Sequence, residues 1–143
     1  MDKVADASMG PSQITATGYE GWSAELRDEF ERNHRNYQVG GRLLSETDRV
    51  KVWEIRLPPG QRLPAHKHVL DYFWTVLTRG DSVQHTDDGT TRRTSYEPGM
   101  TRHTSFGPGQ YLFHDLENVG DSELVFITVE HQRLPGDPGP RQV

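Results

Sequence analysis

From Arg42 to about residue 129 the apolar residues fall in short alternating runs, each closed by glycine, proline or a polar turn cluster. Lys51, Trp53, Ile55 and Leu57 alternate with Val52, Glu54 and Arg56 until Pro58-Pro59-Gly60 turns the chain. Pro64 starts a short extended piece that carries His66 and His68, and residues 72–78 form a dense aromatic and β-branched strand closed by Gly80. Asp87-Asp88-Gly89-Thr90 has the chemistry of a hairpin turn, followed by a strand over 91–96 that ends at Glu97-Pro98-Gly99. After Gly107-Pro108-Gly109 come strands near 111–116 and 123–129, the second apolar on both faces, joined by Asn118-Val119-Gly120-Asp121. Many short strands with close Gly/Pro turns predict an all-β sandwich or barrel. No helices separate the strands, which excludes a βαβ array.

Only the N-terminal region has helical spacing. Within 20–36, Ser23 is a candidate N-cap, Leu26, Phe30 and Asn33 follow at near-helical intervals, and Gly40-Gly41 stops the pattern. Residues 1–18, polar and small, read as a loose arm, and the Pro/Gly-rich end reads as a loose tail. The expected organisation is an arm and helix over 1–41, a barrel over 42–131 and a tail over 132–143. The helix is expected to pack on the outside of the barrel or across a seam between two copies, and a homodimer is the expected assembly.

Composition narrows the chemistry more than the fold. With 143 residues a single domain can bury a real core, although the hydrophobic fraction is only 32%. There is no cysteine, so a metal site must draw on histidine, carboxylate, tyrosine, amide or water. The net charge of -5 comes without a basic block, which argues against nucleic acid. No run approaches the ~18 apolar residues that span a bilayer, so no membrane partner is expected. The start lacks the basic-then-apolar order of a signal peptide, and cytoplasmic residence is the expectation.

The candidate chemistry sits in His66-Lys67-His68. Two histidines two apart on a strand point the same way, which offers two nitrogens to one ion. His114, on another strand-like stretch, is a third candidate. Neutral imidazoles suit Zn, Fe, Ni or Cu and leave positions for water and substrate. The alternative is a polar pocket whose histidines hydrogen-bond to a ligand. His34, His85 and His131 are expected to be exposed.

Two stretches resemble the motifs of the cupin superfamily (RmlC-like jelly rolls). Gly60, His66-Lys67-His68 and Gly80 are similar to the first motif; His114, Asn118 and Gly120-Asp121 are similar to the end of the second. The likeness spans roughly residues 50–129. Within it, "KVWEIRLPPGQRLPAHKH", "HVLDYFWTVLTRG" and "GMTRHTSFGPGQYLFHDLENVGDSELVF" are similar to small single-domain cupins of the β-alanine degradation type. The resemblance implies a double-stranded β-helix barrel and a divalent metal (Fe, Zn, Ni or Mn) on His66, His68 and His114. The glutamate of the first motif has no counterpart: counting from the histidines places Tyr72 there, and counting back from Gly80 places Phe73.

The residues around that gap are the remaining candidates for catalysis. Tyr72 shares the parity of the histidines and can donate a hydrogen bond to a substrate oxygen, or fill the core. A bulge would let Asp71 replace the glutamate, and His103 is a candidate fourth imidazole. Arg102 has the guanidinium geometry to meet a substrate carboxylate at the rim. The expected function is a small metal-binding cupin, a metal-dependent enzyme acting on a small organic acid or related metabolite. The alternative is a non-catalytic small-molecule binding or regulatory cupin. Fold alone does not choose between them.

Overall fold

A computed structural model describes residues 12–133. Five strands form one antiparallel sheet in the order β1 (Ser12–Ala16), β7 (Thr91–Tyr96), β6 (Gly80–His85), β9 (Leu112–Asn118), β4 (Arg62–His68). Five more form the second, in the order β2 (Arg42–Glu46), β3 (Val50–Leu57), β10 (Leu124–His131), β5 (Tyr72–Val76), β8 (Thr101–Thr104). The two sheets face each other as the expected cupin-like double-stranded β-helix.

Alternation decides what lies between the sheets. Ile55, Leu57, Val76, Leu116, Leu124 and Phe126 form the central cluster, each under a tenth exposed. Trp74, Tyr96 and Phe126 meet edge to face, with ring centroids 5.1–5.7 Å apart. Asn118 is fully buried and closes the lower end: its Nδ2 donates to the Leu57 and Ser122 carbonyls, and its Oδ1 accepts from Gly120 N–H. The turn-former reading of Asn118 therefore holds, with the addition that it ties β9 to β3.

The helix is shorter than its pattern predicts. It runs Ala24–Arg32, with Ser23 Oγ accepting from Leu26 N–H as the cap and Asn33 at the C-terminus. Residues 12–16, expected within a loose arm, instead form β1 and pair with β7. The expected arm over 1–11 and the tail from 134 onward lie outside the described residues. Helix α1 packs on the outer face of the first sheet, where Phe30 joins Ala65 and Phe113, flanked by Trp22 and Leu26.

One irregularity under that helix positions everything that follows. Leu63 opposes Leu116 and His66 opposes His114, so β4 has an extra residue across this interval. It is a β-bulge, and Pro64, which has no N–H to lose, sits within it. The backbone groups it frees are taken by α1 and the turn after it. Ala65 N–H donates to Glu29 Oε2 at 2.9 Å, and the Ala65 carbonyl accepts from Asn33 and Asn36 side-chain amides at 3.1 and 3.0 Å. Lys67 N–H donates to the Asn36 carbonyl. Asn33 and Asn36 are engaged with β4, which gives a physical reason for the helix to end early.

Glu29 also makes a bidentate pair with Arg62, which reaches the fully buried Asp115 at 2.8 Å. Burial alone would raise the Glu29 carboxyl, but Arg62 and the Ala65 N–H outweigh it and leave it below the ordinary range. Glu29→Ala leaves the buried Ala65 N–H without its partner and the Arg62 guanidinium with Asp115 alone. It is expected to lower the unfolding free energy by about 2–3 kcal/mol, against less than about 0.5 kcal/mol for the exposed control Glu31→Ala. Urea denaturation of the two variants checks the difference.

Candidate metal centre

The bulge turns His66 and His68 into the space between the sheets, where they meet His114 from β9. All three are buried, and one nitrogen from each lies within 4.8 Å of the others. The rings meet edge to face at centroid separations of 4.8–5.2 Å. Nitrogens on one first-row ion lie at most about 4.1 Å apart, so the triad is within a rotamer adjustment of closing on a single ion.

Hydrogen bonds set which nitrogen each ring presents. His66 Nδ1–H donates to the Pro64 carbonyl at 2.8 Å, and His114 Nδ1–H donates to Gln84 Oε1 at 3.3 Å. In both rings that leaves the Nε2 lone pair for the cavity. His68 is oriented differently: Tyr72 stacks on it at 4.0 Å with planes 15° apart, and its buried Nδ1 has no hydrogen-bond partner among the described residues. A buried polar nitrogen without a partner costs about 1–3 kcal/mol, and a cation is the partner that three neutral imidazoles fit.

The imidazoles are held neutral. Burial, then repulsion from His66 and His114, places His68 well below the ordinary imidazole range; burial and then His66 do the same to His114. Burial also lowers His66, opposed by the Pro64 carbonyl and by Asp115. Burial raises the Tyr72 phenol well above its usual range, against the hydrogen bond with Thr104 and the nearby charge of Arg102. Tyr72 is therefore a neutral hydrogen-bonding group.

The cavity beside the triad is small. It offers about 30 Å³ to the centres of water-sized molecules, room for roughly two or three waters. Tyr72 and Trp74 line it from β5, Gln84 from β6 and Thr128 from β10.

The other candidates distribute by strand parity. Asp71 sits one step from Tyr72; its carboxylate accepts from Phe106 N–H at 2.9 Å and lies 3.8 Å from Arg133, so it is engaged with the 105–107 loop instead of the triad. Arg102 opposes Trp74 and shares the inward face with Tyr72, although it does not line the cavity. His103 opposes Phe73 on the other face, is exposed, and its ring lies 5.1 Å from that of Phe73. His34 and His131 are exposed as expected.

His85 departs from expectation. It is mostly buried, its Nδ1 lies 3.0 Å from Asp115 Oδ2, and Trp22 meets its ring edge-on. The sequence reading also missed Gln84, Glu29 and Glu130. Glu130 is buried beside Tyr72, accepts from Trp53 Nε1 at 2.8 Å, and is raised above the ordinary carboxyl range, chiefly by burial. Its signal was available: an acidic residue at an inward position of an otherwise apolar strand.

No protein-family model matches the chain, and no curated protein does. Solved structures do. A cupin domain from Bordetella pertussis Tohama I is 27% identical, with a TM-score of 0.57 over 69% of this chain and 97% of its own. A protein with a double-stranded β-helix domain from Klebsiella pneumoniae is 25% identical, with a TM-score of 0.51 over 77% of this chain and 90% of its own. An RmlC-like cupin from Methanocaldococcus jannaschii is 20% identical, with a TM-score of 0.52 over 64% and 77%. The likeness is to the cupin superfamily as a whole and singles out no member of it.

The depressed histidines make stability pH-dependent. Their folded values lie below the unfolded value of about 6.5, so the unfolded chain binds protons that the fold refuses. Their contribution is complete above that value and is lost as pH falls through it toward the folded values, by up to about 1.4 kcal/mol per pH unit for each histidine. The urea midpoint of metal-free protein is expected to drop between about pH 7.5 and 5.5, and to drop less in His68→Gln/His114→Gln. Equal drops would contradict this electrostatic picture.

Proposed function

We propose that the protein binds a divalent metal ion through His66, His68 and His114 and takes a small oxygen-bearing molecule at that ion. The observation that supports the reading most directly is the triad itself: three buried imidazoles converging on one small cavity. A bound cation would supply Lewis-acid polarisation of a carbonyl or carboxylate oxygen. The chain's own groups orient the triad. Gln84 and the Pro64 carbonyl fix two of the rings, Tyr72 stacks on the third, and Trp74, Tyr96 and Phe126 form an aromatic wall. The Tyr72 hydroxyl, neutral at physiological pH, can share a hydrogen bond with the bound molecule.

A metal-dependent enzyme acting on a small organic acid is the first reading. A non-catalytic binding module is the second, and one observation favours it: among the described residues no carboxylate lines the cavity to serve as a general base. Asp115 is bonded to Arg62 and His85, and Glu130 to Trp53.

Protein purified without chelator, or dialysed against zinc, iron, nickel or manganese, is expected to hold about one ion per chain by elemental analysis. His66→Ala and His114→Ala should each lose most of it while keeping a β-type circular dichroism spectrum, and His34→Ala should lose none. Zinc at 100 times its dissociation constant should add about 2.7 kcal/mol to the wild-type stability. Wild-type protein that gains no metal from any of the four ions sinks the proposal.

Tyr72→Phe should retain the metal, because the phenyl ring keeps the stacking on His68. It should weaken ligand binding by several-fold if the hydroxyl contacts the ligand. Titration calorimetry of both metal-loaded proteins reads the difference, and equal affinities would reduce Tyr72 to a packing role.

A further inference from the structure

Beyond the triad, the described residues that line the cavity carry no formal charge. Its other walls are Val39, Ile55, Trp74, Tyr96, Leu116 and Phe126 on the apolar side, with Gln84, Thr128 and Tyr72 supplying the polar atoms. The Gln84 carbonyl oxygen is already accepting from His114. Among the described residues no lysine, arginine, aspartate or glutamate lines the space. The buried carboxylates behind it are engaged elsewhere, Glu130 with Trp53 and Asp115 with Arg62 and His85. Arg102 shares the inward face with Tyr72 but does not line the space, so a second charge on a ligand would leave water for a wall with no counter-charge in its lining, and that desolvation is unfavourable. The cavity beside the triad is also small, which favours a compact ligand.

Resting on the metal-site reading above, we infer that the ligand is a compact monoanion: an oxygen-donor head such as a short 2-hydroxy or 2-oxo monocarboxylate, with an uncharged apolar remainder of one or two carbons. The head is drawn to the cation held by the triad, and the remainder lies against Trp74, Phe126 and Ile55. Dicarboxylates, phosphate esters and amino acids carry a charge that this wall does not match.

Three probes share one head and differ in the remainder: lactate ends in a methyl, malate in a second carboxylate and isoserine (3-amino-2-hydroxypropanoate) in an ammonium. Each is titrated calorimetrically into full-length zinc-loaded protein at neutral pH, with zinc content measured on the same sample. Lactate is expected to bind at least about tenfold more tightly than either. In Thr128→Lys, which puts an ammonium on the wall, the lactate-to-malate ratio is expected to fall by about tenfold or more.

Malate or isoserine binding as tightly as lactate to the zinc-loaded wild type overturns the inference while leaving the metal site standing. So does a failure of lactate to bind when zinc is present at one per chain. Zinc content far below one per chain sinks the metal-site reading, and the inference falls with it. The wild-type comparison decides the matter alone if Thr128→Lys does not fold.

Discussion

The structure depends on the way α1 holds the bulge in β4. Without the extra residue between Leu63 and His66, strand alternation would carry His66 and His68 to the outer face, under the helix. With it, both imidazoles enter the barrel and Ala65 turns outward beneath Phe30. A bulge gives up ladder hydrogen bonds, and here Glu29, Asn33 and Asn36 replace them from one short helix and the turn after it. The element that looks peripheral in the fold therefore sets the aim of two candidate metal ligands.

The same clamp links two apolar regions that lie on opposite faces of one sheet. Inside is the central cluster with the cavity at its edge; outside is the smaller cluster of Phe30, Ala65 and Phe113. Charged groups between them are resolved by pairing. Arg62 bridges Glu29 and Asp115, and Asp115 in turn accepts from the His85 backbone N–H at 2.7 Å. Lys67, on the outer face between the histidines, places its ammonium 4.7 Å from the Tyr111 ring. On this sheet the ionic groups thus lie on the outer face, and the inner face carries the neutral histidines and apolar residues.

That separation governs what the cavity can do. Burial keeps the imidazoles unprotonated, as metal ligands must be, and keeps Tyr72 in its neutral form. A cation placed there would meet a low-dielectric wall with no charged side chain among the described lining residues, so its field would act on the molecule that shares the space.

Much of this was legible in the sequence because alternation and turn chemistry are local. The hairpin at Asp87–Thr90, the strand over 50–57, the Ser23 cap and the shared face of His66 and His68 follow from residue spacing. Spacing also pointed to a sandwich or barrel and to His114 as a third candidate, and the motif resemblance narrowed these to a double-stranded β-helix with the three histidines on one metal. What spacing leaves open is which face is the inside. Alternation says that Asp71 and Tyr72, or Arg102 and His103, point opposite ways; only the paired sheets decide that Tyr72 and Arg102 point inward and that Asp71 and His103 do not. The bulge, the strand at 12–16 and the burial of His85 against Asp115 all rest on partners tens of residues away. A strand's parity is a property of its own backbone, whereas its orientation is fixed by the chain segments that cover it.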